Sequence, residues 1–71
     1  MTNPIINDFG TQIWMINGDY HRTDGPAIIY ASGARRWYVK GEFCWSPKAF
    51  QQAAKLSDEE MTFLLLKYKF K

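Results

Sequence analysis

The chain has 71 residues, which is enough for one small domain but not for the two-domain cleft of most enzymes. Hydrophobic residues make up 46% of it and aromatic residues 17%, far more than in a disordered chain, so a folded domain is expected. The single cysteine, Cys44, excludes a disulfide framework and a cysteine-rich zinc module, and a net charge of +2 is too small to indicate nucleic-acid binding by itself.

Residues 1–10 contain Pro4 and Gly10 and predict an N-terminal arm or a short edge strand. If this segment is held against the domain, its anchors are expected to be Ile5, Ile6 and Phe9. The chain start lacks the basic residues of a signal peptide, and no stretch approaches the ~20 apolar residues of a membrane span. We therefore expect a soluble cytoplasmic protein.

Residues 11–45 predict an antiparallel β-meander, because a pattern typical of a β-hairpin occurs twice in this segment. The two copies carry Trp14 and Trp37 at equivalent positions, an offset of 23 residues. In each copy an apolar run is followed by a two-residue joint, then an acid, then an aromatic residue. The joints, Asn17-Gly18 and Lys40-Gly41, suit the type I′ turn, which needs a positive φ at both central residues.

Further turn signals at 23–26 and 31–33 divide this region into five short strands, at 12–16, 19–22, 27–30, 35–39 and 42–44. Alternation along the strands predicts four core side chains, two from each copy: Trp14, Ile16, Trp37 and Val39. In the strand at 27–30, alternation leaves open which pair joins this core: Ile28 and Tyr30, or Ala27 and Ile29.

Residues 46–71 predict a cap of two helices. Ser46 precedes Pro47 as N-cap and first helical residue, and this helix should extend to about Lys55. Ser57 and Glu60 have the spacing of a capping box at the start of the second helix. The first helix is expected to bury Phe50, Ala53 and Ala54, and the second Met61, Leu64, Leu65 and Tyr68. The fold class is therefore α+β: a five-stranded antiparallel meander followed by two C-terminal helices.

The sequence Trp14-Met15-Ile16-Asn17-Gly18-Asp19-Tyr20-His21-Arg22-Thr23-Asp24-Gly25-Pro26-Ala27 resembles a known repeat. This is the W-x-x-N-G-x-x-H-R-x-D-G-P-A repeat of small bacteriophage and viral proteins, which is similar to the MORN repeat built from a β-hairpin. The resemblance covers residues 12–42, and the second copy has Cys44-Trp45-Ser46-Pro47 where His-Arg would stand. It implies a curved antiparallel ribbon for scaffolding or protein contact, no catalytic residues, and a phage accessory protein that acts on a host factor.

The segment His21-Arg22-Thr23-Asp24 brings a base, a cation and a carboxylate together, and it has two interpretations. It could hold an acid–base pair, with Cys44 brought beside His21 in a thiol enzyme. Alternatively, Asp24 caps the turn and pairs with Arg22 or His21, which the turn chemistry favours. One histidine and one cysteine are too few for a zinc site, so we expect no metal. No oxyanion-hole or nucleophile-elbow motif is recognisable, so we expect no catalytic residue, and we expect no cofactor.

Two segments are candidates for partner binding. Arg35, Arg36 and Tyr38 interleave basic and aromatic residues on one strand, and they are either a solvated strand face or a binding surface. Phe63 and Leu66 lie outside the core-facing side of the second helix, so they are either buried against the meander or in an intermolecular contact, of which a homodimer is the simplest form.

The combined prediction is a non-enzymatic protein–protein interaction module. The resemblance implies a phage protein that binds and inhibits or redirects a host protein, for example one of a defence system, in the cytoplasm of an infected bacterium. The alternative is a small nucleic-acid-binding module that uses Arg35, Arg36 and Tyr38 together with the lysine tail, Lys67, Lys69 and Lys71.

Overall fold

The computed structural model describes residues 4–68, in which short strands precede two helices. The strands are β1 (Ile5–Ile6), β2 (Gln12–Ile13), β3 (Met15–Ile16), β4 (Asp19–Tyr20), β5 (Ile28–Ile29), β6 (Arg35–Val39) and β7 (Glu42–Cys44). The helices are α1 (Pro47–Ala54) and α2 (Asp58–Tyr68). The expected α+β class, with a five-stranded antiparallel sheet and two C-terminal helices, is confirmed.

The five strands of the sheet lie in the order β1-β2-β5-β6-β7, and β3 pairs with β4 in a separate two-stranded hairpin. The strands that make up this sheet differ from those of a simple meander, because the chain changes its hydrogen-bonding partners at Trp14. The backbone N–H of Trp14 donates to the carbonyl of Ala27 (2.7 Å), whereas its carbonyl accepts from the N–H of His21 (3.0 Å). The expected strand at 12–16 is therefore split into β2, which continues the sheet, and β3, which leaves it.

Both predicted type I′ turns are present. Asn17 and Gly18 have φ values of 52° and 83°, and Lys40 and Gly41 have 53° and 82°. The first residue of each joint lies in the left-handed helical region, which Asn tolerates better than most residues, whereas the larger φ of the second residue is one that glycine adopts at little cost. The turns determine the register of their hairpins, which pair Ile16 with Asp19 in one and residues 39 and 42 in the other.

The core lies between one face of the sheet and the two helices. Trp37 and Val39 point from β6 toward the helices, and the ring of Trp37 meets that of Phe50 edge-on with 4.6 Å between centroids. The buried cluster consists of Trp37, Val39, Cys44, Phe50, Met61 and Leu64, with Leu65 and Tyr68 packed against it. Trp14, Trp37 and Val39 are buried as expected.

Three expectations about burial are wrong. Ile16 is 42% exposed, because it stands beside the turn of the β3–β4 hairpin, which lies outside the main sheet. Ala53 is exposed, because α1 centres its buried side on Phe50 and Ala54. Around β5, neither of the two expected pairs is buried as a pair. The buried residues are instead the consecutive Ala27 and Ile28, one from each expected pair.

The N-terminal segment is an edge strand, and its expected anchors are wrong. Ile5, Ile6 and Phe9 are all exposed. β1 is instead held by backbone pairing with β2, and the turn after it is held by Asn7, whose side-chain oxygen accepts from two backbone N–H groups, those of Phe9 (2.9 Å) and Thr11 (3.0 Å). Backbone and side-chain amide hydrogen bonds, rather than apolar contacts, place this strand.

The helix starts follow the expected capping chemistry. Ser46 Oγ accepts from the N–H of Ala49 (3.1 Å), and the C-cap residue after α1, Lys55, has the left-handed conformation. At α2, the N–H of Ser57 donates to Glu60 Oε1 (3.0 Å) and the N–H of Glu60 donates to Ser57 Oγ (3.1 Å), as in a capping box. Hydrogen bonding of the Glu60 carboxylate to Ser57, first of all to its backbone N–H and then to its side chain, holds the pKa of Glu60 below its ordinary value of 4.5.

The two turn glycines provide a test of the hairpins. Gly18→Ala and Gly41→Ala both place a side chain at positive φ, which costs about 1 kcal/mol or more. An added Cβ at Gly41 would also lie 3.2 Å from Asp19 Oδ1, whereas an added Cβ at Gly18 would have no neighbouring atom within 4 Å. We expect both variants to lose stability in urea unfolding, Gly41→Ala more than Gly18→Ala. Two variants as stable as the parent would contradict the turn assignment.

Candidate functional surface and the corner that supports it

The guanidinium of Arg22 is the centre of the corner between the β3–β4 hairpin and β5. Its Nε donates to Asp24 Oδ1 (2.7 Å), and Nη1 donates to the carbonyl of Pro26 (3.2 Å). Nη2 donates to the hydroxyl of Tyr68 on α2 (3.2 Å). Its Cζ also lies 3.8 Å from the ring centre of Trp14, in cation–π geometry. One side chain thus joins the corner loop, the β2–β3 junction and α2.

The glycine that follows Asp24 lets the chain approach this guanidinium. A Cβ at Gly25 would lie 2.9 Å from Tyr68 Cε2 and 3.0 Å from Arg22 Cζ, so a larger residue would force one of them to move. The next two residues, Pro26 and Ala27, are fully buried. Pro26 has no N–H to satisfy, and the N–H of Ala27 donates to a β6 carbonyl, that of Arg36 (2.9 Å).

His21 ties the β3–β4 hairpin to the neighbouring turn. Its Nδ1 accepts from the backbone N–H of Lys40 (2.9 Å), which requires that nitrogen to be unprotonated. Two further backbone bonds run in parallel, from Gly41 N–H to the carbonyl of Tyr20 (2.8 Å) and from Arg22 N–H to the carbonyl of Tyr38 (3.2 Å). Since His21 and Asp24 have separate structural partners, the geometry favours the turn interpretation of this corner over an acid–base pair.

Cys44 belongs to the buried cluster under the helices, and its cross-strand neighbour is Trp37. Its Sγ points to the carbonyl of Glu42 at 3.7 Å. Burial, more than any other effect, raises the pKa of the Cys44 thiol, which disfavours the reactive thiolate. Within residues 4–68, no group of three or more His, Cys, Asp and Glu side chains is placed to hold a metal ion.

The sheet has a second side, which the helices do not cover. We call it the open sheet face and define it by Tyr20, Tyr30, Arg36, Tyr38 and Phe43. Alternation along β6 directs Arg36 and Tyr38 away from the core-facing Trp37, as the sequence predicts. Arg35 alternates to the other side, so it does not share this surface with them.

Aromatic rings form a row across the open sheet face. The ring of Tyr38 lies between those of Tyr20 and Phe43, at centroid distances of 5.0 and 5.5 Å. The Arg36 guanidinium lies 5.7 Å from the ring centre of Tyr30 and donates to the carbonyl of Arg35 (3.0 Å). Of these rings, Tyr20, Tyr30 and Phe43 are exposed.

Sequence reasoning missed Tyr20 and Phe43 as members of this surface. The signal was present, because each is the aromatic residue that follows the acid in its copy of the repeated hairpin pattern. In the structure, β6 brings Tyr38 between these two equivalent positions. The equivalent aromatic residues of the two copies, Tyr20 and Phe43, thus lie on either side of Tyr38.

The second candidate surface lies on α2. Phe63 is 65% exposed and Leu66 is 80% exposed, whereas Met61 and Leu64 are in the core. Complete burial of Phe63 and Leu66 against the sheet is therefore wrong. Of the lysine tail, Lys67 is exposed, and Lys69 and Lys71 lie outside the described residues.

A shallow groove of about 680 Å³ lies beside α2, between this helix and the corner loop. It combines apolar side chains with carboxylates, and its lining residues are Thr23, Asp24, Leu56, Ser57, Glu59, Glu60, Phe63, Leu64 and Lys67. Sequence reasoning missed it, because its two walls come from distant parts of the chain.

Comparisons with known proteins do not assign this chain to a family. No family model matches it, and neither a curated protein nor a solved structure gives a match. In the part of the chain that the structure describes, neither helix has the length and apolar character needed to cross a membrane.

Substitutions in the corner should rank by how much each one disturbs packing and hydrogen bonding there. Gly25→Ala is expected to cost about 1–3 kcal/mol by overpacking Arg22 and Tyr68. Asp24→Ala removes one partly exposed ion pair and should cost about 1 kcal/mol. His21→Gln retains an acceptor for the Lys40 N–H and should cost less than either.

Urea unfolding of the three variants checks this order. The control is Asp8→Ala, which replaces an exposed acid outside the corner and should leave the free energy of unfolding nearly unchanged. A stable His21→Gln or Asp24→Ala protein that has lost its partner binding would overturn the structural interpretation of this corner.

Proposed function

We propose that the protein is a non-enzymatic protein-interaction module that binds its partner through the open sheet face. The observation that carries this proposal is the row of contacting rings, Tyr20, Tyr38 and Phe43, on the side of the sheet that the helices leave uncovered. Aromatic side chains exposed on one continuous surface are typical of protein interfaces.

The arrangement of the rings favours binding, because it is already ordered. Tyr38 is in contact with rings on both sides, so a partner that covers it does not have to immobilise a freely rotating side chain. Tyr and Arg are also the residue types that most often dominate interface energetics. Arg36, beside Tyr30, supplies the positively charged end of this surface.

The same features favour a protein over a nucleic acid. A stacking platform for bases needs flat, separated ring faces, whereas these rings are tilted by 53° and 55° against one another. Arg35 points away from the surface, which leaves Arg36 as its cation, and the acidic residues Asp19 and Glu42 directly precede two of the rings. A nucleic-acid-binding module is the alternative that the experiments below distinguish.

The resemblance to the phage repeat supports a proposal about the kind of partner. We propose that it is a protein of a bacterial host, met in the cytoplasm of the infected cell, and that binding inhibits or redirects it. A non-enzymatic role is supported by the corner, since His21, Arg22 and Asp24 are each engaged in contacts that hold the fold.

Replacing Arg36 and Tyr38 together by Ala should weaken partner binding by about 2 kcal/mol or more, some thirtyfold in affinity. The matched control replaces Lys48 and Gln52, two exposed residues of α1 on the other side of the molecule. A partner captured from bacterial lysate and identified by mass spectrometry supplies the ligand, and titration with each variant supplies the affinity. Thermal unfolding shows that each variant is folded.

Unchanged affinity in the Arg36 and Tyr38 variant would exclude the open sheet face. Filter binding of a single-stranded oligonucleotide across a salt series tests the alternative, since neutralised phosphates give a steep loss of affinity with salt. A steep slope that disappears in the same double variant would replace the protein partner by a nucleic acid.

A further inference from the structure

The outward side of α2 is apolar at its centre, lies outside the buried core and borders the groove beside the corner loop. Glu59, Phe63 and Leu66 are spaced as residues on one side of a helix, and all three are exposed. The core does not need this side, because Met61 and Leu64 face the sheet and are buried. Phe63 and Leu66 therefore place two large apolar side chains in water.

The charges of α2 change sign along its length. Its first turn carries three acidic residues, Asp58, Glu59 and Glu60, and its last turn carries Lys67. The exposed apolar pair, Phe63 and Leu66, lies between these charged ends. If a second, identical helix runs in the opposite direction, its basic end lies beside the acidic end of the first helix, and its acidic end lies beside the basic end. A parallel helix would place like charges together.

We propose that α2 packs antiparallel against the α2 of a second copy of this chain, about a two-fold axis near Phe63. Glu59 and Lys67 lie four residues before and after Phe63, so the axis places Glu59 of each copy opposite Lys67 of the other. A two-fold contact requires a surface that is complementary to itself, and this helix meets that requirement in both charge and apolar content. The antiparallel dipoles of the helices add to the attraction.

This contact uses the opposite side of the molecule from the open sheet face. The helices pack on the side of Trp37 and Val39, and the row of rings lies on the other. A dimer through α2 therefore leaves both open sheet faces accessible and presents two of them to a partner. The pairing goes beyond the proposed function and can fail without affecting it.

A contact through one helix is small, so the dimer should be weak and reversible. The 11 residues of α2 extend over only about 16 Å. We expect a dissociation constant on the order of 10–100 µM, as for interfaces at the low end of the size range. Sedimentation equilibrium of the full chain from about 10 µM to 1 mM covers this range.

Apolar substitutions test whether α2 carries the contact. Phe63→Ser and Leu66→Ser should each raise the dissociation constant at least tenfold. The control is Trp45→Ser, because Trp45 is an equally exposed apolar residue (78%) outside α2 and outside the open sheet face, and it should leave the dissociation constant unchanged. Circular dichroism melts confirm that each variant is folded.

Charge reversal tests the antiparallel direction. Glu59→Lys or Lys67→Glu alone places like charges opposite each other twice in the dimer, and each should weaken association about tenfold. An equimolar mixture of the two variants restores both opposite-charge pairs and should dimerise like the parent. Effects on helix stability are the same in the mixture as in the separate variants, so only the intermolecular contact can produce this recovery.

Three results would overturn the proposal. A parent chain that is monomeric at 1 mM would exclude the dimer. A dimer that Phe63→Ser and Leu66→Ser leave intact would place the contact elsewhere on the chain. A mixture of Glu59→Lys and Lys67→Glu that associates no better than either variant alone would exclude the antiparallel arrangement.

Discussion

The fold depends on how the guanidinium of Arg22 is satisfied. This cation is mostly removed from water, with a side-chain exposure of 12%, and burial of a charge is unfavourable unless its donors find acceptors. Asp24, Pro26 and Tyr68 accept from its three nitrogens, and Trp14 lies under its face. A domain with a core of this size has only a few kcal/mol of stability, so a side chain that holds a loop, a strand junction and a helix together contributes a large share.

The residues that carry the resemblance to the phage repeat are thereby explained as structural. Asn17-Gly18 forms the turn, His21 accepts a backbone N–H, Arg22 pairs with Asp24, and residues 25–27 are buried in the corner. By contrast, Tyr20 stands at a position that the repeat leaves unspecified, and it contributes to the open sheet face. The residues that carry the resemblance thus serve the fold, while partner binding is proposed at residues outside that pattern.

Local signals could be read from the sequence, and long-range pairing could not. The turn at Lys40-Gly41, the cap at Ser46 and the capping box at Ser57 each depend on residues a few positions apart, and all are present. The prediction that Ile16 is buried is wrong because alternation assumes one continuous strand, whereas the chain changes partners at Trp14. The row of rings could not be predicted for the same reason, since it depends on which strands become neighbours.

The free energy of unfolding of Arg22→Lys tests this account most directly, with Arg35→Lys as the matched control. Lysine keeps the charge and much of the stem but lacks the planar group that reaches Asp24, Pro26 and Tyr68 at once. We expect Arg22→Lys to lose about 2–4 kcal/mol, from charged hydrogen bonds and the cation–π contact, while Arg35→Lys stays near the parent. An Arg22→Lys protein within about 0.5 kcal/mol of the parent, the range of ordinary surface substitutions, would contradict the central role of this side chain.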